Sequence, residues 1–145
     1  MKFKKILAIV LTALCLFAAV GTVACADAVS NPDDVISPAY EYADSASSRL
    51  SISGQTAYCT SETEGDAVSI TVEQTLEKYS GWFWIWNSVD GANWTKTVNL
   101  NSISMSNTKS GLSSGTYRLK SVFTLTSSSG KTETITVYSD EKKVG

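Results

Sequence analysis

Three tryptophans at alternating positions are the residues of this chain best suited to binding chemistry. Trp82, Trp84 and Trp86 are separated by Phe83 and Ile85, and alternate side chains of a β-strand point to the same face. A row of exposed indoles is what a glycan-binding face requires, because each ring offers a large flat apolar surface with a polar edge. Trp82, Trp84 and Trp86 are therefore the candidate ligand-binding residues.

The turn that precedes the tryptophans decides whether they are exposed or buried. A two-residue loop at 80–81 leaves the three indoles on the outer face of the sheet. A three-residue loop at 79–81 puts Trp84 and Trp86 in the core and Trp82 at its rim. The longer loop fits better, since serine rarely adopts the left-handed conformation and three exposed indoles would present roughly 600 Å² of apolar surface. We therefore expect Trp84 and Trp86 in the core.

Catalytic chemistry has few candidates in this sequence. The chain contains no histidine, which excludes imidazole-based triads and the usual zinc sites. Its carboxylates are numerous, but a glycosidase needs a substantial cleft around its catalytic pair, and a small domain offers little wall. Glu62, Glu64 and Asp66 alternate along an acidic segment that we interpret as a solvated turn rather than a calcium site. We expect no enzyme activity, no metal and no cofactor.

The first 26 residues have the pattern of an export signal. Three lysines precede an uncharged run over 6–20, and Ala24 and Ala26 supply the small residues of a signal peptidase site. The run is too short to anchor across a bilayer core of ~30 Å. We predict a signal peptide over 1–26 and a secreted chain without a transmembrane segment, with lipid attachment at Cys25 as the alternative.

The rest of the chain is long enough for one compact domain. Residues 27–46 contain both prolines and no apolar period, so we predict a flexible arm there and a folded domain over 47–145. The net charge is −2, which excludes a nucleic-acid binder built on a basic face. Cys59 is the single cysteine after the signal, and its apolar neighbours indicate a buried, structural thiol.

An apolar period of two predicts the secondary structure. Val68, Ile70 and Val72 alternate with polar residues, and Asp90 and Gly91 predict a tight turn between two further strands. No window has the period of a helix. Seven or eight short strands separated by turns predict an all-β, antiparallel two-sheet sandwich, with a closed barrel as the alternative.

Residues 113–119, with the sequence SSGTYRL, resemble the approach to strand F in immunoglobulin-like and fibronectin type III-like domains. In those domains a tyrosine, here Tyr117, hydrogen-bonds back to the preceding loop. Leu119 stands where antibody domains keep a cysteine, so the resemblance does not extend to an antibody-type disulfide. It implies an immunoglobulin-like sandwich that follows an N-terminal signal helix.

A longer set of strand and turn patterns is similar to small exported β-proteins of Gram-positive, clostridia-like bacteria, catalogued as a domain of unknown function. The similar segments are LSISG at 50–54, LEKYSG at 76–81, YRLK at 117–120 and GKTE at 130–133. The resemblance covers roughly Ser45 to the end of the chain. It implies a fold and an extracellular compartment, and it carries over no catalytic or ligand residue.

These observations predict an exported, non-enzymatic binding or interaction module. Its ligand would be a glycan, a cell-wall component or another protein. The alternative is a small secreted toxin or bacteriocin-like antagonist of neighbouring cells. Within the folded domain only the aromatic segment 82–86 could reach lipid.

Overall fold

Alternating apolar and hydroxyl-bearing residues fold into eight strands within residues 39–145, the part of the chain that the computed structural model describes. No helix of this part is long and apolar enough to cross a bilayer. The predicted signal helix, Cys25 and the arm up to residue 38 lie outside the described residues. The strands are β1 (Ala43–Ser53), β2 (Thr56–Gly65), β3 (Ser69–Ser80), β4 (Ile85–Val98), β5 (Ser102–Lys109), β6 (Gly115–Thr126), β7 (Thr132–Tyr138) and β8 (Lys142–Val144).

The strands form two antiparallel sheets. The first sheet has the order β1-β2-β5, and the second has the order β4-β3-β6-β7, with β8 paired to the start of β6. This arrangement puts β2 beside β5 in one sheet and β3 beside β6 in the other, as strands B and E and strands C and F lie in immunoglobulin-like domains. The predicted all-β, two-sheet immunoglobulin-like sandwich is confirmed.

The core between the sheets consists of two hydrophobic clusters. Along β3, Val72 belongs to the first cluster and Leu76 to the second, and along β6 the corresponding residues are Phe123 and Leu119. The second cluster lies toward the end of the sheet where β3 meets β4. It therefore lies nearer than the first cluster to the strand ends that carry the aromatic segment.

A buried layer of hydrogen-bonded polar groups separates the two clusters. Gln74 Nε2 donates to Ser61 Oγ at 2.6 Å and to the carbonyl oxygen of Met105 at 3.0 Å. Its Oε1 accepts from Asn107 Nδ2 at 2.8 Å. The hydroxyls of Ser61 and Ser121 lie 2.6 Å apart. Because each group has a partner, the layer links strands of both sheets without leaving a buried polar atom unpaired.

The folded domain begins before the boundary that the sequence predicted at residue 47. β1 starts at Ala43, which is buried, and Tyr42 packs against the first cluster. The carboxylate of Glu133, on β7, accepts the backbone N–H groups of residues 41–43 at 2.7, 2.8 and 3.2 Å. The described part of the predicted arm therefore belongs to the sandwich. The prediction failed there because a distant carboxylate pairs with this backbone, and no local pattern reveals it.

Candidate binding site

The aromatic segment forms the end of a hairpin instead of the start of a strand. Ser80, the last residue of β3, pairs with Ile85, the first residue of β4, so residues 81–84 make a four-residue loop. The backbone N–H of Phe83 donates to the carbonyl oxygen of Ser80 at 3.2 Å, as in a β-turn. Both loop lengths that the sequence offered are wrong.

The loop exposes three aromatic side chains. Trp82 is 85% exposed, Phe83 67% and Trp84 82%, and Ile85 beside them is 47% exposed. The predicted core position of Trp84 and the rim position of Trp82 are therefore wrong. The physical reason is the loop length, because residues in a turn no longer alternate between the faces of a sheet. We call Trp82, Phe83 and Trp84 the aromatic tip.

Trp84 occupies the left-handed region of backbone conformation, with φ at +57°. Within residues 39–145 it is the one non-glycine residue with positive φ. This conformation costs about 1–2 kcal/mol for a residue with a side chain. An indole that is mostly in solvent offsets little of that cost by packing. Such local strain is characteristic of functional sites.

Trp86 is separate from the aromatic tip and lies on the outer face of the second sheet, so its predicted core position is also wrong. Its ring centroid is 5.3 Å from that of Tyr79, its partner across the hairpin. The guanidinium of Arg118 lies between two rings, 4.2 Å from the centroid of Trp86 and 4.1 Å from that of Tyr138. Arg118 Nε also donates to Glu77 Oε2 at 2.7 Å. These contacts leave Trp86 half-buried and fix the base of the hairpin.

A groove of about 510 Å³ opens beside the base of the hairpin. Lys78 and Lys109 line it, together with Asn87 and Ser113, and no acidic side chain does. Lys78 Nζ donates to Ser113 Oγ at 2.7 Å and lies 5.6 Å from the ring centroid of Tyr117. The groove therefore offers hydrogen-bond donors and positive charge.

Tyr117 positions the loop that forms one wall of this groove. Its hydroxyl donates to the carbonyl oxygen of Ser113 at 2.7 Å, and its side chain is 1% exposed. This is the bond back to the preceding loop that the resemblance to immunoglobulin-like domains implied. The tyrosine ties the connection between β5 and β6 to the start of β6.

Cys59 is buried and structural in this arrangement. It lies on β2 and shares the second core cluster with Leu119 on β6, which are the strand positions that antibody domains join by a disulfide. Its side chain is 1% exposed, and burial raises the pKa of the thiol to about 11. A thiol with so high a pKa is a poor nucleophile at neutral pH.

The acidic segment predicted as a turn is part of a strand. Glu62 and Glu64 lie on β2, and Glu62 Oε2 is 3.3 Å from Arg49 Nη2. Within residues 39–145, no group of three or more side chains of the metal-binding types lies close enough to hold an ion.

Sequence reasoning missed several residues around the tip. The preferred three-residue loop implied that Phe83 and Ile85 are exposed, and they are, but Trp82 and Trp84 are exposed together with them instead of lying on the opposite face. The lysines of the groove carried no sequence signal, because they are distant along the chain. Four-residue hairpin loops are also common, but the residue of this loop in the left-handed region is Trp84 rather than a glycine, so the sequence carried no signal for the loop length.

No model of a known protein family matches this sequence, and no curated protein sequence matches it at a significant level. Among solved structures, a similar chain is wild-type OgpA from Akkermansia muciniphila, with 12% sequence identity and a TM-score of 0.42. The similarity covers 76% of this chain and 33% of the OgpA chain. This chain thus spans about a third of the length of OgpA.

Proposed function

We propose that this protein is an exported, non-enzymatic binding module whose contact element is the aromatic tip. The supporting observation is the exposure of Trp82, Phe83 and Trp84 on one short loop. A contiguous exposed apolar patch on a folded domain marks an interaction site, because leaving it in water is unfavourable unless a partner covers it. Tryptophan is also among the residues that contribute most to binding energy.

The base of the hairpin supports this proposal by holding the tip in place. On one side Trp86 packs against Tyr79 and Arg118. Near the end of β3, Lys78 donates a hydrogen bond to Ser113 in the connection between β5 and β6. A rigid base reduces the entropy that the tip loses when it binds, so more of its contact energy appears as affinity.

The chemistry of the tip favours binding over the alternatives. Its three side chains include no acid, base or nucleophile. An antagonist that forms a pore must cross the hydrocarbon core of the bilayer, which is ~30 Å thick. Four loop residues reach at most about 14 Å even when fully extended. The tip therefore suits contact with a surface better than passage through it.

The proposal is tested with isolated cell envelopes of a Gram-positive, clostridia-like bacterium that contain both wall and membrane. The protein is used as residues 27–145, the form that the predicted export signal leaves. We expect the parent to sediment with the envelopes and the variant Trp82→Ala/Trp84→Ala to bind roughly tenfold or more weakly, the size of effect that tryptophan anchors produce.

Leu100→Ala is the matched control, since Leu100 is 60% exposed in the connection between β4 and β5. It removes a comparable exposed apolar side chain away from the tip, and its binding should equal that of the parent. Failure of the parent to sediment, or equal binding by the tip variant, contradicts the proposal.

A further inference from the structure

Four lysines lie at the end of the domain that carries the aromatic tip. In the second sheet Lys78 pairs with Tyr117, which pairs in turn with Lys142, so the two lysines lie on one row that crosses β3, β6 and β8. Lys143 follows on the next row toward the tip, opposite Thr116. Lys109 lines the same groove as Lys78. We call Lys78, Lys109, Lys142 and Lys143 the basic rim.

Lysines outnumber acidic residues at this end of the domain. It is formed by segments 78–87, 109–117 and 140–145, which hold the four lysines of the basic rim and two acidic residues, Asp140 and Glu141, that precede Lys142. The nearest carboxylate along β3, that of Glu77, is paired with Arg118. The end of the domain that carries the tip therefore has a net positive charge.

The opposite end of the domain is negatively charged. It is formed by segments 39–45, 64–69 and 126–133, since Ala43 pairs with Gly65 and Ser69 pairs with Thr126. These segments hold five acidic residues and a single lysine, Lys131. The domain thus carries a charge asymmetry along its strands, and an anionic surface would orient it with the aromatic tip forward.

The combination of an apolar tip and a basic rim matches the chemistry of an anionic bilayer. Tryptophan and other aromatic rings are favoured in the interfacial layer, where the ring is partly among acyl chains and its N–H remains hydrated. Lysines beside such a segment interact with anionic headgroups. A glycan requires directional polar contacts beside a ring. The loop itself supplies indole N–H groups, whereas the hydrogen-bond donors of the groove lie at the base of the hairpin and not on the loop.

We propose that the aromatic tip docks the domain on an anionic lipid bilayer, with the three rings in the interfacial layer and the basic rim on headgroup phosphates. This inference rests on the proposed binding function and names its partner. A four-residue loop is long enough to reach the boundary between headgroups and acyl chains, where interfacial segments lie about 5–10 Å deep. The charge asymmetry of the domain orients the tip toward the bilayer as it approaches.

The experiment measures flotation of residues 27–145 with vesicles of equal parts phosphatidylglycerol and phosphatidylcholine, and with vesicles of phosphatidylcholine alone. These residues include both sheets and both core clusters. We expect binding to the anionic vesicles with a blue shift of tryptophan emission, weak binding to the neutral ones, and loss of binding as salt is added. Acyl chains labelled with bromine should quench the emission, which places the rings in lipid.

Three variants separate the contributions. Trp82→Ala/Trp84→Ala should abolish the blue shift, and Leu100→Ala should float like the parent. Lys142→Gln/Lys143→Gln should bind roughly twenty-five-fold more weakly, at about fivefold for each lysine near an anionic surface. Both lysines are exposed on the short strand β8, so the fold does not depend on them.

Each remaining outcome contradicts the inference in a distinct way. Tip-dependent binding to cell walls or to a glycan array, without binding to anionic vesicles, rejects the lipid partner and leaves the binding module standing. Equal flotation of the tip variant rejects docking through the tip, and equal sedimentation of that variant with envelopes rejects the proposed function as well. Release of an entrapped dye at the concentration where the protein binds rejects surface docking in favour of permeabilisation.

Discussion

Trp84 combines a strained backbone with an exposed ring, two properties that each oppose stability. Its φ of +57° is the left-handed conformation, and its indole is 82% exposed. Neither property benefits the isolated domain. A residue such as Trp84, which lowers stability and makes few contacts within the domain, is expected at positions where selection acts on binding.

We predict that Trp84→Gly leaves the domain as stable as the parent or more stable, while it weakens binding by the tip. Glycine relieves about 1–2 kcal/mol of left-handed strain, and its greater freedom in the unfolded chain offsets about 0.5–1 kcal/mol of that gain. Urea denaturation and vesicle flotation measure the two effects. Trp84→Ala keeps the strain and should be less stable than Trp84→Gly, and the reverse order would show that the indole stabilises the loop.

Cys59 makes stability depend on pH above neutrality. The pKa of its thiol is raised from an ordinary value of 9.0 to about 11 by burial, so the folded state favours the protonated form. The stability that comes from keeping this thiol protonated is complete below pH 9. It is lost as the pH rises toward 11, where the free energy of unfolding has fallen by about 2 kcal/mol. Because lysines and tyrosines titrate in the same range, the informative quantity is the difference between the parent and a variant without the thiol.

We predict that Cys59→Ala removes this alkaline loss and lowers stability by about 1 kcal/mol at pH 7, where it only deletes a buried sulfur atom. Cys59→Ser should cost more, about 1–3 kcal/mol, because it buries a hydroxyl among apolar side chains. Urea titrations at pH 7 and pH 10.5 provide the comparison. Parallel pH profiles for the parent and Cys59→Ala would contradict the assigned pKa.

At the scale of elements, the hydrogen bond from the Tyr117 hydroxyl to the loop before β6 is the feature that most directly connects the core to the groove. Tyr117→Phe removes the bond to the carbonyl oxygen of Ser113 and keeps the buried ring. We predict a loss of about 1 kcal/mol in unfolding free energy, the usual net contribution of an intramolecular hydrogen bond. Tyr58→Phe is the control, because Tyr58 is 48% exposed and should change stability by less than about 0.5 kcal/mol. Equal effects of the two substitutions would mean that the hydrogen bond from Tyr117 to Ser113 does not contribute to the free energy of unfolding.

The strands were predictable from sequence because their burial follows the period of two. β6 is the clearest case, with every second residue from Tyr117 to Leu125 buried. The turns at Asp90 and at the tryptophans were not predictable in the same way. Asp90 and Gly91 lie inside β4, where Gly91 has φ at +69° and the pairing register shifts opposite β3. A bulge and a turn demand the same residue types, and tertiary pairing selects between them.

The same limit explains the outcome at the candidate site. The sequence identified the aromatic segment, because tryptophans at such density are unusual, but the position of each ring followed from loop length. A change of one residue in a hairpin loop moves every following side chain to the other face. The basic rim could not be found from sequence, since its lysines come from β3, β8 and the end of β5 and meet only in the folded domain.

At the scale of the whole molecule, the buried polar layer makes the two halves of the core interdependent. Ser121 Oγ donates to Ser48 Oγ at 2.8 Å, and Ser48 Oγ donates to the carbonyl oxygen of Leu119 at 3.2 Å. These bonds join β1 to β6 across the sandwich, while Gln74 joins β3 to β2 and β5. The two sheets can pair these groups in one register only. The end of the domain that carries the aromatic tip and the opposite, negatively charged end are therefore parts of one cooperative structure.

The extent of the cooperative unit yields a prediction about truncation. Residues 39–145 form the compact unit, and its first strand is held by the carboxylate of Glu133, which accepts three backbone N–H groups from residues 41–43. Burial opposes ionisation of Glu133, but these three bonds outweigh it and hold its pKa below the ordinary value. The bonds thus stabilise the fold at neutral pH, and they weaken as the pH falls through the lowered pKa.

We predict that a fragment of residues 39–145 is as stable as residues 27–145, and that a fragment of 47–145 is less stable by about 3 kcal/mol. The shorter fragment loses the buried Ala43, the packing of Tyr42 and three charge-assisted hydrogen bonds. Thermal and urea denaturation of the three forms at pH 7 measure the difference. Glu133→Ala in the fragment of residues 39–145 should reproduce part of this loss of stability. It should also remove the part of the acid-induced destabilisation that comes from the Glu133 carboxylate. If 47–145 unfolds at the same midpoint as 39–145, then residues 39–46 lie on the sandwich without stabilising it.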